Sequence, residues 1–323
     1  MEILANNVNS LLEEGFWRLK VAGVESDSRN GRVLRFNEPV TTILVNPRER
    51  VLFHAGRDAN PIFHLLESVW ILAGRGDVDF VQKFNSRIGQ YSDDGLQFNA
   101  AYGRRMRSDF GTDQLVGVIN TLSKDPNSRQ AVIQLWSPLD LEKQTLDKAC
   151  NTQLTFAIVN NRLNLTVFNR SNDFWYGQAG ANAVHFSVLQ EFVAQALGVE
   201  VGLMYTVSNN LHLYLDLYDA ASYVDTPPKA EVYDAYLTGQ VDPQPIIKDV
   251  GWEEWLTHAE EFCRDPFNPM LYWDSFFLGT AFPMAMVSYT RKNKQGDGRR
   301  WADEIDAPDW RKAVHDWIDR REQ

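Results

Sequence analysis

Apolar residues recur at helical spacing through residues 1–22, at Ile3, Val8, Leu11, Leu12, Phe16 and Leu19, and predict an amphipathic helix. The polar run 25–31 predicts a turn carrying Arg29, and residues 33–36 and 40–45 read as strands. Residues 61–73 predict a second helix, with Pro61 in its first turn and Gly74 just past its end. Ile62, Phe63, Leu65, Leu66, Val69, Trp70 and Leu72 cover most of its circumference, so it should be buried. Glu67 sits among them, and a carboxylate there is either paired or functional.

Further along, 90–103 is loop-like, 113–122 is helical, and 125–129 turns into a strand at 131–136. The pattern then centres on Cys150. A strand-like run, 153–160, reaches the tight turn Asn160-Asn161, and a second run, 163–169, leads into Arg170-Ser171-Asn172-Asp173. A small-residue loop at 177–182 precedes an apolar helix at 184–197, which Gly198 stops. After 208–214 a helix is expected at 215–223. Residues 224–250 hold Pro227, Pro228, Pro243 and Pro245 and read as an ordered connection. Residues 251–323 mix tryptophans with charges; 291–300 reads as a basic surface loop and 310–318 as a helix. No repeat or linker interrupts the chain. The expectation is one α+β domain, residues 1–250, with 251–323 a helical extension packed on it.

A 44 % apolar composition with ten tryptophans supports a packed interior rather than disorder. The formal charge of −11 argues against sequence-independent nucleic-acid binding, which needs a basic face, but leaves room for a small anion held by a few arginines. Two cysteines in 323 residues make no disulfide framework, which fits a reducing compartment. No apolar run reaches the ~18 residues of a membrane span, and no leader is visible. A cytoplasmic protein without a metal site is the expectation.

The candidate chemistry lies in a few groups. Cys150 is either inert packing or a nucleophile, the latter if Arg170 and Arg129 lie near enough to favour a thiolate. Arg170 with Ser171 offers a fork of donors and a hydroxyl to an anion, or else a surface ion pair to Asp173. Arg29 and Arg129 sit in turns among small polar residues. Asn182 is either a ligand-reading amide, suited to N3 and the C4 substituent of a pyrimidine, or a helix N-cap. A Cys–His hydrolase would need a histidine close to Cys150, and the nearest in sequence is His185.

In combination these residues resemble the thymidylate synthase family. Cys150 before a hairpin, Arg170-Ser-Asn-Asp173-x-x-x-Gly177, Asn182 before an apolar helix and His212-x-Tyr214 carry the resemblance. Ser28-Arg29-Asn30-Gly31, Phe63-His64-Leu65-Leu66-Glu67-x-x-Trp70, Ala101-Tyr102-Gly103 and Asp125-Pro126-x-Ser128-Arg129 extend it over roughly residues 1–220. The resemblance implies a three-layer α/β fold, a central mixed sheet packed by helices, and a homodimer. It implies addition of Cys150 to C6 of a pyrimidine nucleoside monophosphate, followed by one-carbon transfer to C5 from 5,10-methylenetetrahydrofolate. Glu67 would hold a water and move protons, and Tyr102 would order that water and position Cys150. Arg29, Arg170, Ser171 and Arg129 of the partner subunit would bind the 5′-phosphate. Asn182 would read the base, His212 and Tyr214 the sugar, and Asp173 the pterin.

The chain departs from the family pattern at several points. Gln130 stands where a second arginine is usual, Asn151 where a histidine follows the nucleophile, and Gly180-Ala181, with one extra loop residue, where Pro-Phe precedes the base-reading Asn. The Trp-containing loop that screens the exocyclic methylene intermediate is replaced by Ile88-Gly-Gln-Tyr-Ser-Asp-Asp94, and no apolar tail closes the sequence given. Hydride transfer to that methylene needs a dry site, and a wetter one favours addition of water. A nucleotide 5-hydroxymethylase is therefore expected, of the kind phages use for modified DNA precursors. dUMP is favoured over dCMP, since the deoxycytidylate enzymes are expected to carry Asp at the position of Asn182. A true thymidylate synthase and a catalytically silent nucleotide- or RNA-binding relative are the alternatives.

Overall fold

Two mixed sheets lie at the centre of the chain, and the computed structural model describes residues 1–216 and 220–322. The larger sheet has six strands in the order β1-β4-β9-β7-β6-β5, and the smaller has four, β2-β3-β10-β8. The strands are β1 (Glu2–Ala5), β2 (Val24–Ser28), β3 (Gly31–Arg35), β4 (Val40–Leu44), β5 (Val132–Gln134), β6 (Asn151–Val159), β7 (Arg162–Asn169), β8 (Asn172–Asp173), β9 (Glu200–Ser208) and β10 (Leu211–Tyr214). The long helices are α1 (Val8–Ala22), α2 (Pro61–Leu72), α3 (Gln114–Lys124), α4 (Asn182–Leu197), α5 (Trp252–Arg264), α6 (Phe282–Lys292) and α7 (Pro308–Asp319). The expected α/β architecture is present.

The N-terminus differs from the sequence reading. Residues 1–22 are not one helix: Glu2–Ala5 pairs in parallel with β4, and the helix begins only after Asn7. The Asn7 side chain accepts from Asn9 N and Ser10 N, and the Ser10 hydroxyl closes a capping box. Ile3 and Ala5 alternate with exposed neighbours, a period-2 signal too short to separate from helical spacing. Residues 25–31 are likewise not all turn. They form the β2–β3 hairpin, an exposed polar edge with only Arg29 and Asn30 at its tip. The helix expected at 215–223 falls partly outside the described residues; Ala220–Asp225 is helical, while Leu215 and Asp216 precede it in a bend.

The β6–β7 hairpin follows its sequence closely. Asn160 and Asn161 both take positive φ, 51° and 58°, as a two-residue turn with the twist of the flanking strands requires. Leu154, Phe156, Leu163, Leu165 and Val167 point into the core. The opposite face of the sheet, with Ile43, Thr155, Thr166, Phe168, Leu203, Tyr205 and Val207, is only half covered. At the start of β6 the register jumps between Asn151 and Gln153, so Thr152 is an extra residue. Such a bulge re-aims the residues beside it.

Two helices bring site residues together. α2, capped by Asn60, is buried nearly all round and packs against α4. Helices after residue 250 continue the same core: Trp255 packs on Phe192 of α4 with ring centroids 5.3 Å apart. Asp309 accepts from the Tyr236 hydroxyl at 2.8 Å, and Arg320 and Arg321 pair with Asp58. Arg50 and Arg48 both reach the buried Glu191 of α4. No helix among the described residues is long and apolar enough to cross a membrane.

Gly15 of α1 is a test of how tightly this core fits the site. A Cβ there would lie 2.2 Å from the Phe174 ring, which opens the turn behind Asp173. Gly15→Ala gains ~1 kcal/mol of helix propensity but forces a buried aromatic ring to move, at about 1–3 kcal/mol. Denaturant unfolding should show a net loss of stability; a gain would mean the helix and the turn are not in contact.

Candidate active site

The ends of the hairpin meet. Arg170, just past β7, donates its backbone N–H to Cys150 O at 3.0 Å, so the nucleophile candidate and the guanidinium sit side by side. Its side chain is held by Ala149 O at 2.8 Å and Lys148 O at 3.3 Å, lies over the Trp136 ring, and places Nη2 3.9 Å from Cys150 Sγ. The thiol is half-buried, and this burial raises its pKa. Arg170 and, more weakly, Arg29 oppose that shift, while Asp147 and Asp173 add to it. The resting group is thus a protonated thiol, with its thiolate favoured by the arginines.

Tyr102 fixes the backbone at this point. Its hydroxyl accepts from both Cys150 N and Asn151 N at 3.3 Å. Burial first, and the nearby Cys150 charge second, push its pKa well up, so it keeps its own proton to donate. Gly103 permits the placement: a Cβ there would come within 2.4 Å of Ile71 O of α2. Outside the site, Asp93 accepts from Leu146 N at 2.8 Å and from Thr145, and Asp147 accepts from Ala100 N at 2.8 Å. The loop at 88–100 is therefore a polar wall tied to the segment entering Cys150.

Residues 177–182 are not the open loop expected from their small side chains. Phe174–Ala181 forms a wide helical turn with a kink at Ala179 and Gly180. Asp173 caps it, accepting from Trp175 N at 3.0 Å and Tyr176 N at 3.3 Å, and burial pushes its pKa up to about 6. Asn182 is not an N-cap either. It lies inside the first turn of α4, with no capping bond at that end. Instead Asn182 Nδ2 donates to Asn172 Oδ1 at 3.3 Å.

That contact ends a buried chain of polar side chains. Asn172 Nδ2 donates to Gln178 Oε1 at 2.7 Å and Ser208 Oγ at 3.1 Å, and Gln178 Nε2 donates to Thr42 Oγ1 at 2.7 Å. Asn169 Nδ2 reaches the same Ser208 hydroxyl, and Asn151 donates to Asn169 Oδ1. The residue after the nucleophile and the candidate base reader are linked through this network.

The smaller sheet supplies the rest. β8 pairs with β10, so His212 lies opposite Asp173, and β3 on the other side carries the hairpin with Arg29 at its tip. His212 Nδ1 is 3.0 Å from Asn210 Oδ1, its ring meets Tyr214 edge-on at 4.9 Å, and burial lowers its pKa, keeping it neutral near pH 7. Ser171 is half-buried between Arg170 and Asn172. Arg129 is not brought in: it is exposed in the turn after α3 and makes no ion pair among the described residues.

Two residues emerge that sequence reading did not place. Arg57 is buried, donates to Trp175 O at 2.7 Å and lies 4.6 Å from the Tyr176 ring centroid. His185 brings Nε2 within 2.9 Å of Glu67 Oε2, though not in hydrogen-bonding alignment. The available signal for His185 was its position three residues after Asn182, on the same face of α4. No cluster of three or more His, Cys, Asp or Glu side chains placed to hold a metal occurs among the described residues.

The thiol electrostatics can be read by alkylation. In the free protein, iodoacetamide should modify Cys150 with a pH inflection above that of an ordinary thiol. Arg170→Met should move the inflection further up, because the removed cation favoured the thiolate. An inflection that moves down would contradict the assignment.

Comparison with known proteins shows the family of the chain. The family model for thymidylate synthase matches residues 5–231. The chain is 42 % identical over 331 residues to the deoxyuridylate hydroxymethyltransferase of Pseudomonas phage M6, covering 99 % of this chain and 94 % of that protein. It is 41 % identical over 238 residues to the deoxyuridylate hydroxymethyltransferase of Bacillus phage SP01, covering 70 % of this chain and 60 % of that one. It is 28 % identical over 235 residues to the thymidylate synthase of Symbiobacterium thermophilum, covering 68 % and 78 % respectively. The chain belongs to the thymidylate synthase family, whose members transfer a one-carbon unit to C5 of a pyrimidine nucleotide.

Proposed function

We propose that this protein converts dUMP to its 5-hydroxymethyl derivative, with Cys150 as the nucleophile. The observation that carries the choice of base is the tether on Asn182. Its Nδ2 is held by Asn172 Oδ1, itself oriented by Gln178 and Ser208. In that orientation the Asn182 oxygen accepts N3–H of uracil and the second amide N–H donates to O4. Cytosine needs the amide reversed, which would set Asn182 oxygen against Asn172 oxygen. The relatives named as deoxyuridylate hydroxymethyltransferases favour the same substrate and product.

The roles of the remaining residues follow from their positions. Arg170, Ser171 and Arg29 gather at the thiol and hold the 5′-phosphate, and the phosphate seat is completed by Arg129 of the partner subunit. The half-covered sheet face is suited to such a symmetric contact. His212 and Tyr214 bind the sugar hydroxyl. With the nucleotide seated, the Cys150 thiolate adds to C6, and C5 becomes the nucleophile. 5,10-Methylenetetrahydrofolate, as co-substrate, supplies the one-carbon unit. Asp173, which caps the turn through Trp175 N and Tyr176 N, faces its flat pterin; a carboxyl with a pKa of about 6 can accept or donate at the edge of such a ring. Tyr102 positions Cys150 through its two backbone contacts. Glu67 handles protons at the base with an ordered water.

Water, not hydride, completes the reaction. The loop tied to the segment entering Cys150 carries Ser92, Asp93 and Asp94 with their hydrogen bonds, rather than a tryptophan that would screen the exocyclic methylene. The test is product analysis by mass spectrometry after incubation with methylenetetrahydrofolate and either dUMP or dCMP. The expected result is 5-hydroxymethyl-dUMP, with dCMP at least about tenfold slower, the scale of a ~1.4 kcal/mol discrimination. Stoichiometric dihydrofolate with a methylated product would contradict the proposal, and so would a preference for dCMP.

A further inference from the structure

We infer that His185 is a positioning residue that holds Glu67 as the base for water addition at the exocyclic methylene. The inference rests on the hydroxymethyl reading above and adds a residue to it. His185 lies on α4, one turn after Asn182, in a stretch where Ala183, Val184, Phe186, Val188 and Leu189 are all buried. Its side chain is 5 % exposed and Nε2 is 2.9 Å from Glu67 Oε2. Neither ring nitrogen has an aligned hydrogen-bond partner among the described residues. An imidazole in such a place costs stability that an apolar side chain of similar size would not.

The carboxylate is the outer member of the pair, 16 % exposed against 5 %, and so is the one that can meet a water. Two neighbours bear on it. His64, one turn before Glu67 on α2, is kept neutral by burial first, and then by the positive charge of Arg57. It therefore offers no competing cation. The His185 ring, with Nε2 2.9 Å from Glu67 Oε2, restricts the rotation of that carboxylate, as the base needs.

The step balances as a conjugate addition. Water oxygen forms a bond to the exocyclic CH₂ while Glu67 takes its proton. The C5=CH₂ electron pair moves onto C4–O as an enolate. The enolate re-forms the carbonyl, C5=C6 is restored, and the C6–S bond breaks to expel the Cys150 thiolate. Nothing is oxidised or reduced, and the Glu67 proton leaves to solvent. Loss of the His185 contact slows this step and lengthens the life of an electrophilic methylene, which an added thiol can capture.

The experiment incubates the whole enzyme with dUMP tritiated at C5, methylenetetrahydrofolate and 2-mercaptoethanol. It reads tritium release and the ratio of 5-thioether to 5-hydroxymethyl product. The ratio is set after the C5 hydrogen has left, so it is independent of how far earlier steps slow. His185→Leu should raise it about tenfold or more, the scale of a lost proton-transfer contribution. His185→Gln, which keeps an N–H within reach of Glu67, should return it to within about threefold of the wild-type ratio. If His185→Leu does not fold, His185→Asn, polar but too short to reach, carries the same expectation as Leu. An unchanged ratio in Leu or Asn, with the hydroxymethyl product still formed by the wild type, overturns this inference alone. A wild type that makes methyl product and dihydrofolate overturns the hydroxymethyl reading and this inference with it.

Discussion

The register of the β6–β7 hairpin is the constraint on which the site depends. A two-residue turn with both central φ angles positive leaves no freedom to slip, and a slip by one residue would turn every side chain to the other face. With the register fixed, the residue before β6 and the residue after β7 must be neighbours. These are Cys150 and Arg170, joined by a backbone hydrogen bond and by the guanidinium beside the thiol. Burial disfavours a thiolate and a nearby cation favours it, so the hairpin sets both terms of that balance at once. The bulge at Thr152 and the Tyr102 hydroxyl then fix the direction in which the sulfur is presented.

A second constraint runs through the amides. Asn151, Asn169, Asn172 and Gln178, with Ser208 and Thr42, bury polar groups that would each be costly alone, and the half-buried Asn182 joins them. Hydrogen-bonded to one another they form a rigid arrangement, and its benefit is orientation. An asparagine proposed to tell two bases apart by which end of its amide faces them gains from being held in one orientation. The small residues Gly177, Ala179 and Gly180 let the wide turn close over this network, and Asp173 caps it from below.

The parts of this arrangement that sequence alone made legible were those written locally. The Asn160-Asn161 turn, Pro61 and Gly74 around α2, and Gly198 after α4 each need one backbone conformation, and the residue types announce it. Ile3 and Ala5 were misread because four alternating residues fit a strand and a helix equally, and pairing with β4 decides between them. Asn182 had the composition of a cap, yet the wide turn before it moved the helix start, and a contact ten residues back claimed its side chain. His185 and Glu67 stand 118 positions apart, on two helices whose packing no periodicity describes. Arg129 is exposed in a turn and meets none of these groups within one chain, so the phosphate contact proposed for it calls for a second copy.

The central claim is that a thiolate at Cys150 bonds to the pyrimidine ring. The most direct measurement is peptide mapping after incubation with 5-fluoro-dUMP and methylenetetrahydrofolate, since fluorine at C5 prevents the covalent complex from resolving. The account predicts one equivalent of nucleotide and folate per chain, on the peptide that contains Cys150. No adduct in the folded protein, or an adduct on the buried Cys263 instead, would contradict it.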